Sequence, residues 1–273
     1  MSGSLRFSYV LPAPATSGSW AEFEADLACV RQSGYDAVEL QIGDPAGFDE
    51  ERFRKLSEAS GLPLCAFQTG GSYLSRGNCL CSPDAEVRRR TVALLRSFVD
   101  LAARWNAVIV FGSLQGRLSD EPDRAAGSAR IRESVGEVGG HATKQRVKLA
   151  FEPVNHMEVG FHNTIAEVAE VVRAAKLPGL RMMVDTFHMN IEERDMLAPL
   201  AGIGDILAHV HLSETNRDVL GAGHWPTAAF LSGLRNIGYR GYCSVGVYNS
   251  RLPKAEGIGR CMASIKEARG REG

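Results

Sequence analysis

Eight short apolar runs, separated by segments with helical periodicity, extend along the whole chain. The runs are RFSYVL (6–11), DAVELQI (36–42), LPLCAFQT (62–69), AVIVFG (107–112), VKLAFEPV (147–154), LRMMVDTF (180–187), ILAHVHLS (206–213) and GYCSVGVY (241–248). Strands that alternate with helices favour parallel βαβ units. Eight such units in 273 residues predict an α/β fold, a single (β/α)8 barrel over residues 1–273. An open doubly wound sheet is the alternative, but no GxGxxG follows the first run.

Two helical segments carry readable start signals. In residues 82–105 the apolar positions recur at helical spacing. Ser82 is the expected N-cap of this helix, and Pro83 suits its first turn. Thr164 and Glu167 have the spacing of a capping box that opens the helix after the fifth run.

The composition fits a globular protein and argues against several partners. The chain is 44% hydrophobic with a formal net charge of -1. We find no basic stripe for nucleic acid, no signal peptide and no apolar stretch that could span a membrane. Among its six cysteines, Cys79 and Cys81 are one residue apart, which is not a zinc-knuckle spacing. We interpret them as two free thiols, with a metal or redox role as the alternative, and expect a cytoplasmic protein.

Polar residues stand at the ends of the last four strands. Active-site residues of a (β/α)8 barrel lie at these ends, and strand side chains alternate between the two faces. Alternation turns Glu152, Asp185, His211 and Gly246 into the barrel. His209 faces inward too and competes with His211 for the same role.

Each of these acids or histidines alone would be read as a hydrogen-bonded core residue. Their conjunction is more informative, because charged groups are rarely buried unless they are paired or bind a metal. Carboxylate and imidazole ligands suit Mn²⁺ or Mg²⁺, and also admit Co²⁺ or Zn²⁺. The sequence therefore predicts a site for one divalent cation.

Four segments resemble a known family. They are FEPVNHMEVGFHNT, VDTFHMNIEE, HVHLSETNRDVLGAGH and GYCSVGVY. These segments are similar to the xylose isomerase-like TIM barrels and, among them, to the ketose 3-epimerases of the D-tagatose and D-psicose type. The resemblance covers nearly the whole chain and is strongest from residue 150 onwards.

The resemblance implies a metal-dependent sugar isomerase or epimerase. It implies that one divalent cation, commonly manganese, is held by Glu152, Asp185 and His211, with Glu152 as the catalytic base. The spacing to Arg217 favours His211 over His209. A second metal-binding glutamate of the family falls on position 246, which is glycine here.

The resemblance also implies substrate contacts. They fall on Glu158, His188 and Arg217. Without it, Glu158 and Arg217 would be read as solvated loop charges and His188 as a helix-entry residue. The implied partner is a small-molecule sugar, and such barrels often form homodimers or homotetramers.

The glycine at position 246 changes what can be expected of the chemistry. It leaves three protein ligands for the cation, removes one of two proton carriers and predicts a void that solvent or a bulkier substrate could fill. Glu39 and Tyr248 are candidate second carriers, although a structural role suits each better.

Two other functions therefore stay open. One is a non-catalytic sugar-binding pseudoenzyme on the same barrel. The other is an endonuclease IV-like DNA-repair enzyme, which ranks last because that chemistry needs a cluster of several metals.

Overall fold

The computed structural model describes residues 4–14, 19–69 and 71–270. Both ends of the expected 1–273 domain therefore lie outside the described residues. Eight parallel strands close into one barrel in chain order, which confirms the predicted (β/α)8 TIM barrel. The strands are β1 (Arg6–Pro12), β2 (Ala37–Gln41), β3 (Leu64–Gln68), β4 (Val108–Phe111), β5 (Lys148–Phe151), β6 (Leu180–Asp185), β7 (Leu207–Leu212) and β8 (Tyr242–Val245).

Helices connect the strands and cover the outside of the barrel. They are α1 (Trp20–Ser33), α2 (Glu50–Ser60), α3 (Gly71–Arg76), α4 (Ala85–Trp105), α5 (Arg124–Gln145), α6 (Ile165–Ala175), α7 (Thr186–Glu192), α8 (Thr227–Asn236) and α9 (Lys254–Gly270). Among the described residues, none of these helices combines the length and hydrophobicity needed to cross a bilayer.

The start predicted for α4 is wrong. The helix begins at Ala85, and its N-cap is Asp84 rather than Ser82, because the Asp84 carboxylate accepts from the Glu86 N–H at 2.8 Å. The hydroxyl of Ser82 instead accepts from the Asp84 N–H. A charged acceptor near the first turn also interacts favourably with the helix dipole.

The outer face of the barrel strands packs against the helices, and inward-facing side chains fill the barrel interior. Met182 and Val184 belong to the large core between strands and helices. Ala150 and Met183, which face inward, belong to a separate small cluster, so side chains fill the interior. Parallel register sets Asp185 beside His211, and His211 beside Ser244, which brings polar side chains of neighbouring strands to one level.

The capping box at the start of α6 is confirmed. The Thr164 hydroxyl accepts from the Glu167 N–H at 3.3 Å, and the Glu167 carboxylate accepts from the Thr164 N–H at 2.9 Å. This pair fixes the point at which the loop after β5 enters the helix.

Replacing Thr164 with alanine removes one half of this box. We expect Thr164→Ala to lower the free energy of unfolding by about 1 kcal/mol, because an N–H of the first turn loses its acceptor. Thr164→Ser keeps the hydroxyl and serves as the control, which should stay close to wild type. Urea unfolding measures the free energy of unfolding of both variants. Equal values for Thr164→Ala and Thr164→Ser would contradict the N-cap role of the Thr164 hydroxyl.

Candidate active site at the C-terminal end of the barrel

Three buried side chains meet where β5, β6 and β7 end. Glu152 follows β5, Asp185 is the last residue of β6, and His211 lies near the end of β7. One donor atom from each can be chosen such that all three lie within 4.8 Å of one another. The residues that strand alternation selected are thus brought together, and Asp185 also caps α7 by accepting from the Phe187 N–H.

Glu39, inside the barrel, fixes the orientation of the His211 ring. Its carboxylate lies 2.9 Å from Nε2 of His211 and 2.7 Å from Nε2 of His209, and all three residues are buried. An ionised carboxylate only accepts hydrogen bonds, so both Nε2 atoms carry hydrogen. Glu39 is therefore held inside the barrel by two histidines, which supports the structural role over that of a proton carrier.

Nδ1 of His211 is left facing the two carboxylates. It is buried without a hydrogen-bond partner and lies 3.7 Å from Oδ2 of Asp185. Since Nε2 carries hydrogen, the neutral ring presents its lone pair at Nδ1, and a carboxylate behind a metal-binding histidine is a common arrangement. Glu152, Asp185 and His211 thus fit a divalent cation, whereas His209 is grouped with Glu39 and His211 and not with the two acids.

Burial and neighbouring charges separate the pKa values of these groups. Burial is the main cause that raises the pKa of Glu152 to about 8, and Asp185 raises it further while His211 opposes the shift. Burial also favours the neutral form of Asp185, but His211 and His188 outweigh it and lower the pKa of Asp185 to about 2. The pKa of His211 is raised because Glu39 and Asp185 outweigh the effect of burial.

A polar rim surrounds this cluster and holds the three predicted substrate contacts. The Arg217 guanidinium lies 3.1 Å from Oε1 of Glu158 and 3.4 Å from Nε2 of His188. Nε2 of His188 is 3.7 Å from Oε1 of Glu152. The rim is therefore continuous with the cluster, and Nε of Arg217 is buried without a hydrogen-bond partner.

Sequence reasoning missed two residues that position this rim. The side-chain amide of Asn155 lies 2.7 Å from Nδ1 of His188 and 3.1 Å from Oε1 of Glu158. Glu214 is buried, and its carboxylate accepts from the backbone N–H groups of Gly221 and Trp225, which closes the loop that carries Arg217. Both stand inside the segments that resemble the family, but loop residues of these types usually only form turns.

The void expected at Gly246 does not exist. A Cβ at this position would lie 2.9 Å from Cε2 of Tyr248, 3.2 Å from its hydroxyl and 3.1 Å from Oγ of Ser213. Ser213 in turn lies 3.3 Å from Oδ2 of Asp185, so position 246 faces the cluster. The Tyr248 ring fills the space, because without a side chain at 246 nothing keeps the ring away.

Comparisons with known proteins agree with this architecture. A family model described as the xylose isomerase-like TIM barrel matches residues 27–268. A ketose 3-epimerase of Arthrobacter globiformis is 32% identical over 213 residues, which are 77% of this chain and 72% of that protein.

Two solved structures share the fold. An L-ribulose 3-epimerase superposes with a TM-score of 0.85 at 24% identity, over 98% of this chain and 97% of the other. A D-allulose 3-epimerase from Methylomonas sp., in complex with D-allulose, has a TM-score of 0.83 at 23% identity, over 98% and 99% of the two chains.

The raised pKa of Glu152 makes stability depend on pH when chelator keeps the protein metal-free. The folded state binds this proton more tightly than the unfolded state, so the free energy of unfolding falls as pH rises from about 4.5 to about 8. Glu152→Gln has no such titration. We expect it to be more stable than wild type at pH 9, by roughly 3–5 kcal/mol at about 1.4 kcal/mol per pKa unit.

Urea unfolding between pH 5 and 9 measures the difference, which should shrink towards pH 5. Glu158→Gln, at the half-buried rim, is the control and should follow the wild-type profile. Parallel profiles for wild type and Glu152→Gln would contradict the assignment.

Proposed function

Because the chain belongs to the xylose isomerase-like TIM barrel family, we propose that it is a metal-dependent sugar isomerase or epimerase that moves a proton next to a ketose carbonyl. The observation that carries this proposal is the buried donor set of Glu152, Asp185 and His211, with the free Nδ1 of His211 turned towards the acids. The similarity to a ketose 3-epimerase supports the choice of substrate class.

The donor set suits one divalent cation, held by Glu152, Asp185 and His211. Two carboxylates and an imidazole favour Mn²⁺, with Mg²⁺, Co²⁺ and Zn²⁺ as alternatives. When bound, such a cation polarises the ketone and acidifies the neighbouring C–H bond.

Glu152 takes the proton from the carbon next to the carbonyl. Its carboxyl group is buried, lies at the open end of the barrel and is 3.7 Å from Nε2 of His188. Burial keeps this group protonated near neutral pH in the metal-free protein, so its role as the base requires the charge of a bound cation, which would favour the carboxylate. The loop residues then only have to hold the sugar in the right orientation.

Glu158, His188 and Arg217 bind the hydroxyl groups of the sugar. Glu158 supplies acceptor oxygens, and Arg217 supplies an N–H that has no hydrogen-bond partner among the described residues. The guanidinium rests 4.1 Å above the ring of Phe187, which limits its motion. Groups held in this way lower the entropic cost of orienting a flexible substrate.

Inversion of a carbon centre needs a second proton carrier, and we assign it to Tyr248. Its hydroxyl occupies the space into which a side chain at Gly246 would project. Nε2 of Gln68 donates to the phenol oxygen at 3.0 Å, which leaves the phenolic hydrogen free for another acceptor. Burial raises the pKa of Tyr248 to about 12, so the phenol carries its proton at neutral pH and would act as the donor in the return step.

The second candidate function is a sugar-binding pseudoenzyme, and the observation that favours it is Gly246.

The working assembly that we propose is a cytoplasmic homodimer or homotetramer with a small-molecule sugar as partner. The six cysteines are free, which suits a reducing compartment.

Proton exchange with solvent tests the proposed function. Manganese-loaded protein is incubated with a panel of ketoses in D2O, and the proton next to the carbonyl is followed by NMR. We expect exchange with at least one ketose and a loss of about 100-fold or more in Glu152→Gln, since the base is removed. Glu158→Gln should weaken sugar binding but still exchange. A wild-type protein that is stabilised by a sugar yet exchanges nothing would identify the pseudoenzyme.

Tyr248→Phe tests the second carrier separately. It keeps the ring and removes only the hydroxyl, so deuterium exchange should persist while formation of the epimer falls by about 100-fold. Chiral chromatography of the sugars measures the product. Gly246→Glu should restore the epimer in the Tyr248→Phe background if the ring swings aside. Wild-type product formation in Tyr248→Phe would refute the assignment.

A further inference from the structure

A second group of metal-binding side chains lies in two loops outside the cluster described above. The segment before α4 runs beside the loop after β4, where Leu80 N–H donates to the carbonyl of Leu114 at 2.8 Å. Cys79 and Cys81 are buried there, with their sulfurs 3.3 Å apart. The carboxylate of Asp120 joins them, so that one donor atom from each residue lies within 4.8 Å of the others.

Gly116 lets these three donors converge. It has φ +92°, a left-handed conformation that favours glycine. A Cβ there would clash with Sγ of Cys79, lie 2.6 Å from Sγ of Cys81 and lie 3.2 Å from Oδ2 of Asp120. The two sulfurs and the carboxylate therefore approach the backbone at Gly116 so closely that a side chain there would collide with the sulfurs.

The carboxylate of Asp120 is fixed by its neighbours. The Tyr73 hydroxyl donates to Oδ2 at 2.6 Å, and the Arg117 N–H donates to the same oxygen at 2.8 Å. Oδ2 is also the carboxylate oxygen that lies beside Gly116, so these two hydrogen bonds hold the carboxylate close to the two sulfurs. Hydrogen bonds that orient a ligating carboxylate in this way are typical of metal sites.

A guanidinium lies close to the two thiols. Arg130 donates to the carbonyl of Cys81 at 3.2 Å and is also ion-paired with the carboxylate of Glu121. Two thiolates and one carboxylate would more than neutralise a divalent cation, so this paired guanidinium offsets only a small part of the excess negative charge.

We propose that Cys79, Cys81 and Asp120 bind one thiophilic divalent cation of the Zn²⁺ class, at a site separate from Glu152, Asp185 and His211. Sulfur ligands select softer metals than the carboxylate-rich cluster does. Zn–S bonds of about 2.3 Å place tetrahedral sulfurs about 3.8 Å apart, so the thiols need to separate by only about half an ångström. A water molecule completes the site on the partly exposed side of Asp120.

The cation would brace one wall of the candidate active site. The carbonyl of Gly116 accepts from the Gly160 N–H at 3.0 Å, and Nε of Arg117 donates to the carbonyl of Glu158 at 3.2 Å. The loop that offers Asp120 is thus joined to the loop that carries Glu158. Binding that occurs only in the folded state should raise the unfolding temperature.

Titration of the full-length protein with Co²⁺ tests the site, anaerobically and with a thiol-free reductant. The Glu152 cluster contains no sulfur, so a thiolate-to-cobalt charge-transfer band in the near ultraviolet reports only on the cysteine site. We expect this band to saturate by two added Co²⁺ per chain, because the Glu152 cluster can take up one without contributing to it. The band should disappear on addition of Zn²⁺ and be lost in Cys79→Ser and Cys81→Ser. Asp120→Asn should weaken cobalt binding by 10-fold or more.

Two variants serve as controls. Cys29→Ser alters a cysteine elsewhere in the chain and should retain the full band. Glu152→Gln should also retain it, so failure of the proposed catalytic function leaves this result intact. Absence of the band in reduced wild type would overturn the proposal, as would a band that survives in folded Cys81→Ser. Recovery of the pair as a disulfide, 2 Da lighter, in protein that takes up no cobalt would overturn it too.

Discussion

The shared contact of Glu39 with His209 and His211 is the interaction on which the candidate site depends. A carboxylate with no exposure to water must be compensated by charge or hydrogen bonds, and here two imidazole rings provide both. They outweigh burial and lower the pKa of Glu39. The contact also decides which nitrogen of His211 is left for a ligand. The Glu39 contact, which lies deeper in the barrel than Glu152 and Asp185, thus determines which atom of His211 can bind a ligand at the end of the barrel.

The barrel and the central cluster could be predicted from the sequence because both follow from local rules. Alternation within a strand decides which side chains face inward, and parallel strands bring their ends to one level. Glu152 and Asp185 follow from these rules, whereas the choice of His211 over His209 also needed the spacing to Arg217 that the family resemblance supplies. The start of α4 was mispredicted because Ser82 and Asp84 both suit an N-cap, and only the backbone geometry selects between them.

The sequence was less informative where loops supply the partners. Asn155 acts through the positions of His188, which lies in α7, and of Glu158, which lies in the loop after β5. The spacing of Cys79 and Cys81 argues against a zinc knuckle, yet their carboxylate neighbour comes from a loop about 40 residues away in the chain. At Gly246 the missing side chain is visible in the sequence, but the ring that replaces it is not. Alternation places Tyr248 on the inward face with Gly246, but β8 ends at Val245, so alternation does not predict that the ring lies against position 246.

The backbone of Arg217 joins two loops at one peptide unit. The residue has φ 59°, and its carbonyl accepts from the N–H groups of both Tyr248 and Asn249. Its side chain reaches Glu158 on the other side of the site. One carbonyl group thus connects the segment that carries Tyr248 to the loop that carries Arg217, so the positions of the phenol and the guanidinium depend on the same peptide unit.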